Sequence, residues 1–242
     1  MTYPLFLATL PDPLPAVGAR VELTGDEGRH AVVVRRIQVG EVVVLSDGLG
    51  RGVRGPVVQV SKTALTVEVV DQLRAPDSAL RWVAAQALAK GDRSELAIEM
   101  MTELGVTEIL PWSSTRSVVR WSGERGDKAL ARWRATVREA TKQSRRLVVP
   151  AVSAPVSTRQ LTAAVAAADL AIVLHEEAAE SLANLALPVG GTVLVVIGPE
   201  GGITPEEIDA LVGAGARAVR ISDGVLRTST AGVVALAGLM LR

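Results

Sequence analysis

The chain of 242 residues contains no cysteine. That absence excludes disulfides, thiolate metal sites and cysteine nucleophiles, and it fits a reducing compartment. Histidine is almost as scarce: only His30 and His175 could supply an imidazole, and neither sits in the spacing of a zinc site or a Ser-His-Asp triad. No metal is expected. Aromatic residues make up 2% of the chain, too few for a ladder on which successive bases of a single strand could stack. No run of about 18 apolar residues occurs, so no membrane span is expected. The stretch before Pro15 is interrupted by prolines and lacks a basic lead, unlike a signal peptide, so the expected location is cytoplasmic. Net formal charge is also absent, at zero.

What the chain does have is apolar content, at 48%, which is ample for a buried core in one large domain or two small ones. Its charge is unevenly spread. Residues 116–146 carry ten Arg or Lys against three acids, whereas residues 151–209 carry one base, Arg159, against eight acids. A basic patch on a neutral protein suits a site-specific polyanion binder. Arg134, Arg138, Lys142 and Arg146 recur every four residues, and Leu130, Trp133, Val137 and Ala140 form a separate apolar stripe, so the segment reads as an amphipathic helix. A solvated helix face and an RNA-binding face both remain open on this pattern.

From Val21 to Val70, short β-branched runs separated by turn residues predict a small antiparallel barrel or sheet. Asp26–Ile37 can be read as either helix or strand. Asp71–Ser78, with Pro76, reads as a linker. Beyond Leu80 strands and helices alternate, with strands expected at 82–88, 106–110, 170–174, 193–197 and 218–221, and helices at 94–104, 127–144 and 228–241. Such alternation predicts an α/β domain with a parallel sheet.

The most specialised segment is Gly198-Pro199-Glu200-Gly201-Gly202-Ile203-Thr204-Pro205-Glu206-Glu207. It follows a buried-strand pattern and restarts as a helix, with Thr204 as the cap, Pro205 at the first helical position and Glu207 as the capping-box partner. A loop between a strand's carboxyl end and a helix's amino end is where open α/β sheets bind ligands. It lacks the lysine of a phosphate-binding P-loop and the spacing of a dinucleotide fingerprint. A tight turn with no ligand remains the plain alternative. Ile221–Gly232 repeats the strand, loop, helix order, with Thr228 or Ser229 able to cap the last helix.

The pair Gly-Pro-Glu-Gly-Gly and Leu-Arg-Thr-x-Thr-Ala, in that order, resembles the RsmE family of SPOUT-superfamily RNA methyltransferases. Gly25–His30 with Val34-Arg35-Arg36, Asp47–Gly50, Lys90–Arg93, Thr102–Val106, Thr115–Ser117 and Glu139–Arg146 also resemble family motifs. The chain departs from the family pattern at Ile221-Ser222, at Ser229 and at Met100-Met101. The resemblance implies a PUA-like RNA-binding β-barrel over residues 1–72. Residues 73–242 would form a SPOUT methyltransferase domain with a carboxyl-terminal trefoil knot, acting as a homodimer.

The implied activity is transfer of a methyl from S-adenosylmethionine to N3 of a uridine in the decoding region of 16S ribosomal RNA, in the small subunit. The implied cofactor contacts are Leu174 and His175; Gly198, Pro199, Glu200, Gly201, Gly202 and Ile203; and Ile221, Leu226, Arg227, Thr228, Ser229, Thr230 and Ala231. Arg227 is the candidate to stabilise a uracil anion, because a guanidinium stays charged and offers a fork of donors. Glu200 is the second catalytic candidate, as proton acceptor or amine contact, against a plain role at a helix amino end. His30, Arg35, Arg36, Lys90, Arg93, Arg116, Arg145 and Arg146 are expected to contact RNA. A SPOUT enzyme acting on transfer RNA and a non-catalytic RNA-binding or assembly protein are the alternatives.

Overall fold

The computed structural model describes residues 3–242, and these fall into two compact units. The first comprises residues up to Asp77 together with Thr141–Val149; the second comprises Ser78–Ala140 and Pro150–Arg242.

In the first unit, strands β1 (Leu5–Leu7), β2 (Arg20–Leu23), β3 (Val42–Ser46), β4 (Arg51–Val60), β5 (Leu65–Glu68) and β6 (Asp71–Arg74) form one curled six-stranded sheet in the order β1-β3-β4-β5-β2, with β6 also on β4. The long β4 makes the curl. Its first half pairs with β3 and β6, and after an irregularity between Val57 and Gln59 its second half continues along β5. Such a bulge sharpens local twist and bends a strand. Phe6, Leu23, Leu45, Val53, Leu65 and Val67 fill the interior.

The segment 26–37, open between helix and strand on sequence, is a short helix α1 (Gly25–Arg29) running into a π-helical turn at His30–Val34. The expected linker 71–78 begins instead as β6. Its residues Asp-Gln-Leu-Arg show no apolar alternation, because β6 is held by backbone pairing to β4 and by the Arg54 to Asp71 ion pair of 2.8 Å. Asp47 organises the turn between β3 and β4. Its carboxylate accepts the Leu49 and Arg51 amides at 2.7 and 3.0 Å and the Arg51 guanidinium at 2.7 Å.

The second unit is an eight-stranded, all-parallel sheet. Its strands are β7 (Leu80–Ala87), β8 (Glu108–Ser113), β9 (Ala151–Val152), β10 (Val156–Ser157), β11 (Leu170–Leu174), β12 (Glu180–Ser181), β13 (Gly191–Ile197) and β14 (Arg217–Arg220). Their order is β10-β8-β7-β13-β11-β14-β12, with β9 also on β8. The helices are α2 (Arg93–Leu104), α3 (Gly123–Ser144, of which the segment from Thr141 on belongs to the first unit), α4 (Thr158–Ala167), α5 (Pro205–Gly213) and α6 (Thr228–Met240).

Alternation along the strands sorts the helices onto two faces. Val83, Ala85, Leu194 and Val196 pack with Leu161 and Val165 of α4 and Leu211 of α5. On the other face α6 comes so close that a Cβ on Gly232 would lie 3.1 Å from Ile197 and 2.9 Å from Met101 of α2. Both faces are covered, which is why β11 and β13 read as continuous β-branched runs.

The basic helix α3 differs from its sequence reading. Trp133, Val137 and Ala140 are buried as the stripe predicts. Three of the bases, however, find partners outside their own helix: Arg132 pairs with Glu95 at 3.0 Å, Lys142 with Glu27 at 2.9 Å, and Arg134 donates to the Val152 carbonyl. Arg146 lies past the end of the helix. The patch is therefore partly consumed by the fold.

Candidate active site

Four neighbouring strands, β7, β13, β11 and β14, send the loops at their carboxyl ends to one cavity of about 280 Å³. That position is the usual ligand site of a parallel sheet. The loop after β11 contributes Leu174, His175 and Glu176. The loop after β13 contributes Gly198, Pro199, Glu200, Gly202 and Ile203, and the loop into α6 contributes Val225, Leu226, Arg227, Thr228 and Ala231. Arg93, at the start of α2, joins them. Ile221 lines a smaller adjoining cavity that shares Leu174, His175 and Leu226. Gly201, Ser229 and Thr230 line neither; Ser229 is buried in the first turn of α6.

The glycine loop has the geometry that its composition requires. Gly202 adopts φ 74° and its amide donates to the Pro199 carbonyl at 3.0 Å, closing a turn that favours glycine. At Gly198 a Cβ would lie 2.7 Å from the Ile203 side chain. The predicted capping box at Thr204 and Glu207 is present, with Pro205 in the first turn of α5.

The cap expected at the last helix is not. Arg227 occupies the cap position of α6 with no side-chain cap bond. The Thr228 hydroxyl instead donates to the Gly198 carbonyl at 2.7 Å while accepting from the Gln86 amide at 2.9 Å. Once Gln86 fills the acceptor side of that hydroxyl, its single proton is directed across to the glycine loop. Two walls of the cavity are thereby joined.

The two catalytic candidates sit differently. Arg227 lines the cavity and makes no ion pair among the described residues. Glu200 is engaged, since its Oε1 accepts from the Lys90 amide at 3.3 Å and from the Arg93 guanidinium at 3.4 Å. Lys90 and Arg93, expected on RNA, thus also meet the glycine loop. Arg116 donates to the Gly201 carbonyl at 3.2 Å. In the first unit Arg35, Arg36, Arg145 and Arg146 are exposed, while His30 is half-buried with its ring edge-on to Phe6 at 6.4 Å. Although Arg146 is exposed to solvent, desolvation by the protein around its guanidinium draws it below its ordinary pKa.

Sequence reasoning missed Gln86, Glu176 and Val225. Only Gln86 left a signal, as the one polar side chain in the apolar run from Trp82 to Leu88. The cavity pairs apolar side chains with glycine backbone, and among the described residues no group of His, Asp or Glu could hold a metal ion. Arg93, His175, Glu176, Glu200 and Arg227 add charged and polar groups to that lining, so the cavity offers both apolar surface and hydrogen-bonding groups to a ligand.

Fold and site together define an α/β domain with a ligand cavity at the carboxyl ends of its parallel strands, joined to a small curled β domain. A family model described as an RNA methyltransferase domain matches residues 76–240, and one described as an RNA methyltransferase PUA domain matches residues 23–70. The chain belongs to this RNA methyltransferase family, in its RsmE branch of the SPOUT superfamily. Among its relatives, ribosomal RNA small subunit methyltransferase E of Mycobacterium bovis is 47% identical over 93% of this chain and 87% of the relative. The protein of that name from Bacillus subtilis is 31% identical over 90% and 88%. A crystal structure of ribosomal RNA small subunit methyltransferase E from Neisseria gonorrhoeae, bound to S-adenosyl methionine, matches with a TM-score of 0.86 at 30% identity, covering 99% of this chain and 98% of that one. A Legionella pneumophila methyltransferase in complex with the same cofactor matches at 0.87 and 28%, covering 100% and 98%.

Proposed function

We propose that this protein methylates N3 of a uridine in the decoding region of 16S ribosomal RNA, using S-adenosylmethionine held in the cavity between Gly198–Ile203 and Leu226–Ala231. The observation that carries this reading is the cavity itself. Its walls combine glycine backbone and apolar side chains with Arg93, His175, Glu176, Glu200 and Arg227, and among the described residues Arg227 makes no ion pair. The bound cofactor supplies a sulfonium methyl for in-line displacement, so the protein's work is alignment and charge.

The glycine loop and the Thr228 bridge hold the two walls at a fixed separation. Leu174, Ile197, Ile203 and Leu226 exclude water. N3 of uracil gives up its proton to bulk solvent as it takes the methyl, and the negative charge that develops on the ring oxygens faces a donor at Arg227. Glu200, bound to Arg93 and the Lys90 amide, serves as a brace of the glycine loop rather than as the base.

In this reading residues 1–72 bind RNA and 73–242 carry the reaction, the carboxyl-terminal segment is threaded as a trefoil knot, and the enzyme works as a cytoplasmic homodimer on the small subunit. Arg35, Arg36, Lys90, Arg116, Arg145 and Arg146 contact phosphate. Mass spectrometry of nucleosides from a strain lacking this gene tests the function. The expected result is loss of 3-methyluridine from small-subunit RNA; its retention overturns the reading.

A further inference from the structure

We propose that Glu207, which does not line the cavity, is a positioning residue of the cofactor site. Its buried carboxylate clasps the segment after β8 and the start of α4 onto the helix that the glycine loop leads into. The proposal rests on the reading that the cavity takes S-adenosylmethionine.

A capping box needs one carboxylate oxygen, directed at the amide of the capping residue. In Glu207 that is Oε2, which accepts from the Thr204 amide at 3.3 Å. The other oxygen is used for something else. Oε1 accepts from the Thr115 amide at 2.9 Å, the Thr115 hydroxyl at 3.1 Å and the Thr158 hydroxyl at 2.8 Å. Trp112 Nε1 donates to that same Thr158 oxygen at 3.2 Å, which leaves the Thr158 proton free to point at Glu207. The side chain is only 4% exposed. It joins three separate pieces of chain.

One of those pieces reaches the cavity wall. The Arg120 guanidinium ties the segment together by donating to the Ser114 and Thr115 carbonyls at 3.0 and 2.9 Å. Next to the anchored Thr115, Arg116 then lies on the glycine loop. It donates to the Gly201 carbonyl, and its own Cβ and carbonyl sit 3.2 and 3.3 Å from where a Gly201 Cβ would be. Gly201 lies between Glu200 and Gly202, both in the cavity wall. Glu207 therefore holds Thr115, Thr115 seats Arg116, and Arg116 fixes the carbonyl of Gly201.

The carboxylate is specific to this work, because it accepts at both oxygens. A glutamine of the same shape must turn an NH2 toward either the Thr204 amide or the Thr115 and Thr158 donors. We predict that Glu207→Gln weakens S-adenosylmethionine binding about tenfold by calorimetry at a temperature where the protein is fully folded. Arg116→Ala should weaken it by a similar factor, and the double variant should be no weaker than the worse single one, as for two links of one chain. Thr158→Val should weaken binding about threefold and Thr158→Ser should restore it, which decides the matter even if Glu207→Gln does not fold. Folded Glu207→Gln within twofold of wild type, multiplying effects in the double variant, or a Thr158→Ser as weak as Thr158→Val overturns the proposal. Wild-type protein that does not bind S-adenosylmethionine overturns the function reading, and this proposal with it.

Discussion

At the scale of single residues, Arg227 and Glu200 show how surroundings assign roles to two charged groups in one cavity. Among the described residues Arg227 pairs with no carboxylate, whereas Glu200 is already committed to Arg93 and the Lys90 amide, and the proposed reaction uses the donors of Arg227 for the developing anion. Removing an anion-stabilising donor typically costs about 10²–10³ in rate. Arg227→Ala should lower kcat by about that factor while S-adenosylmethionine affinity changes severalfold at most. Equal losses in both would make it a binding residue.

A second residue-scale contrast lies in the first unit. Arg36 and Arg145 adopt φ 55° and 58°, where an L side chain is strained and glycine is favoured. Arg145 stands where the chain leaves α3, and the following Arg146 amide returns to the Thr141 carbonyl at 3.1 Å, the hydrogen bond of a helix end normally closed by glycine. A side chain kept at such a cost points to a use for it. Arg145→Gly should raise stability by about 1 kcal/mol, read as a higher Tm, and should weaken RNA binding and its salt dependence. Unchanged RNA affinity and salt slope would remove Arg145 from the interface.

At the scale of elements, α5 depends on its first turn. The Glu206 carboxyl is held below its ordinary value of 4.5 by its own backbone amide and the Thr204 hydroxyl, with Arg116 adding to the effect. Because the folded value is the lower one, this contribution is present above about pH 4.5 and is lost as pH falls through the folded value. Glu206→Gln should therefore lower the urea midpoint slightly near neutrality and remove part of its fall on the acid side. Thr204→Ala, which removes the cap, should cost about 1 kcal/mol near neutrality and less at acid pH, where the lost hydroxyl no longer has an ionised Glu206 to stabilise.

Elements also show what the sequence made legible. β11 and β13 could be read because a strand covered on both faces is apolar throughout, and the start of α5 could be read because a capping box is local chemistry. The two-residue strands β9 and β10 are too short to leave a period. Thr228 was legible as a helix cap but acts as a bridge, since its partners Gly198 and Gln86 lie 30 and 142 residues away in sequence. The charge run in α3 looked unpaired because Glu27 and Glu95, which pair with Lys142 and Arg132, are remote in sequence. Local signals found the walls of the site, and long-range partners fixed their roles.

At the scale of the whole molecule, a curled six-stranded unit and an eight-stranded parallel unit divide the chain, and the cavity belongs wholly to the second. Its walls come from segments between residues 93 and 231, so the site exists only once β7, β13, β11 and β14 are assembled. The most direct measurement is methyl transfer from labelled S-adenosylmethionine to purified small ribosomal subunits taken from a strain lacking the gene, followed by nucleoside analysis. The account predicts label in 3-methyluridine of the small-subunit RNA, with none from transfer RNA and a rate lowered by Arg227→Ala. Label on a ribose, label in transfer RNA, or no transfer at all would contradict it.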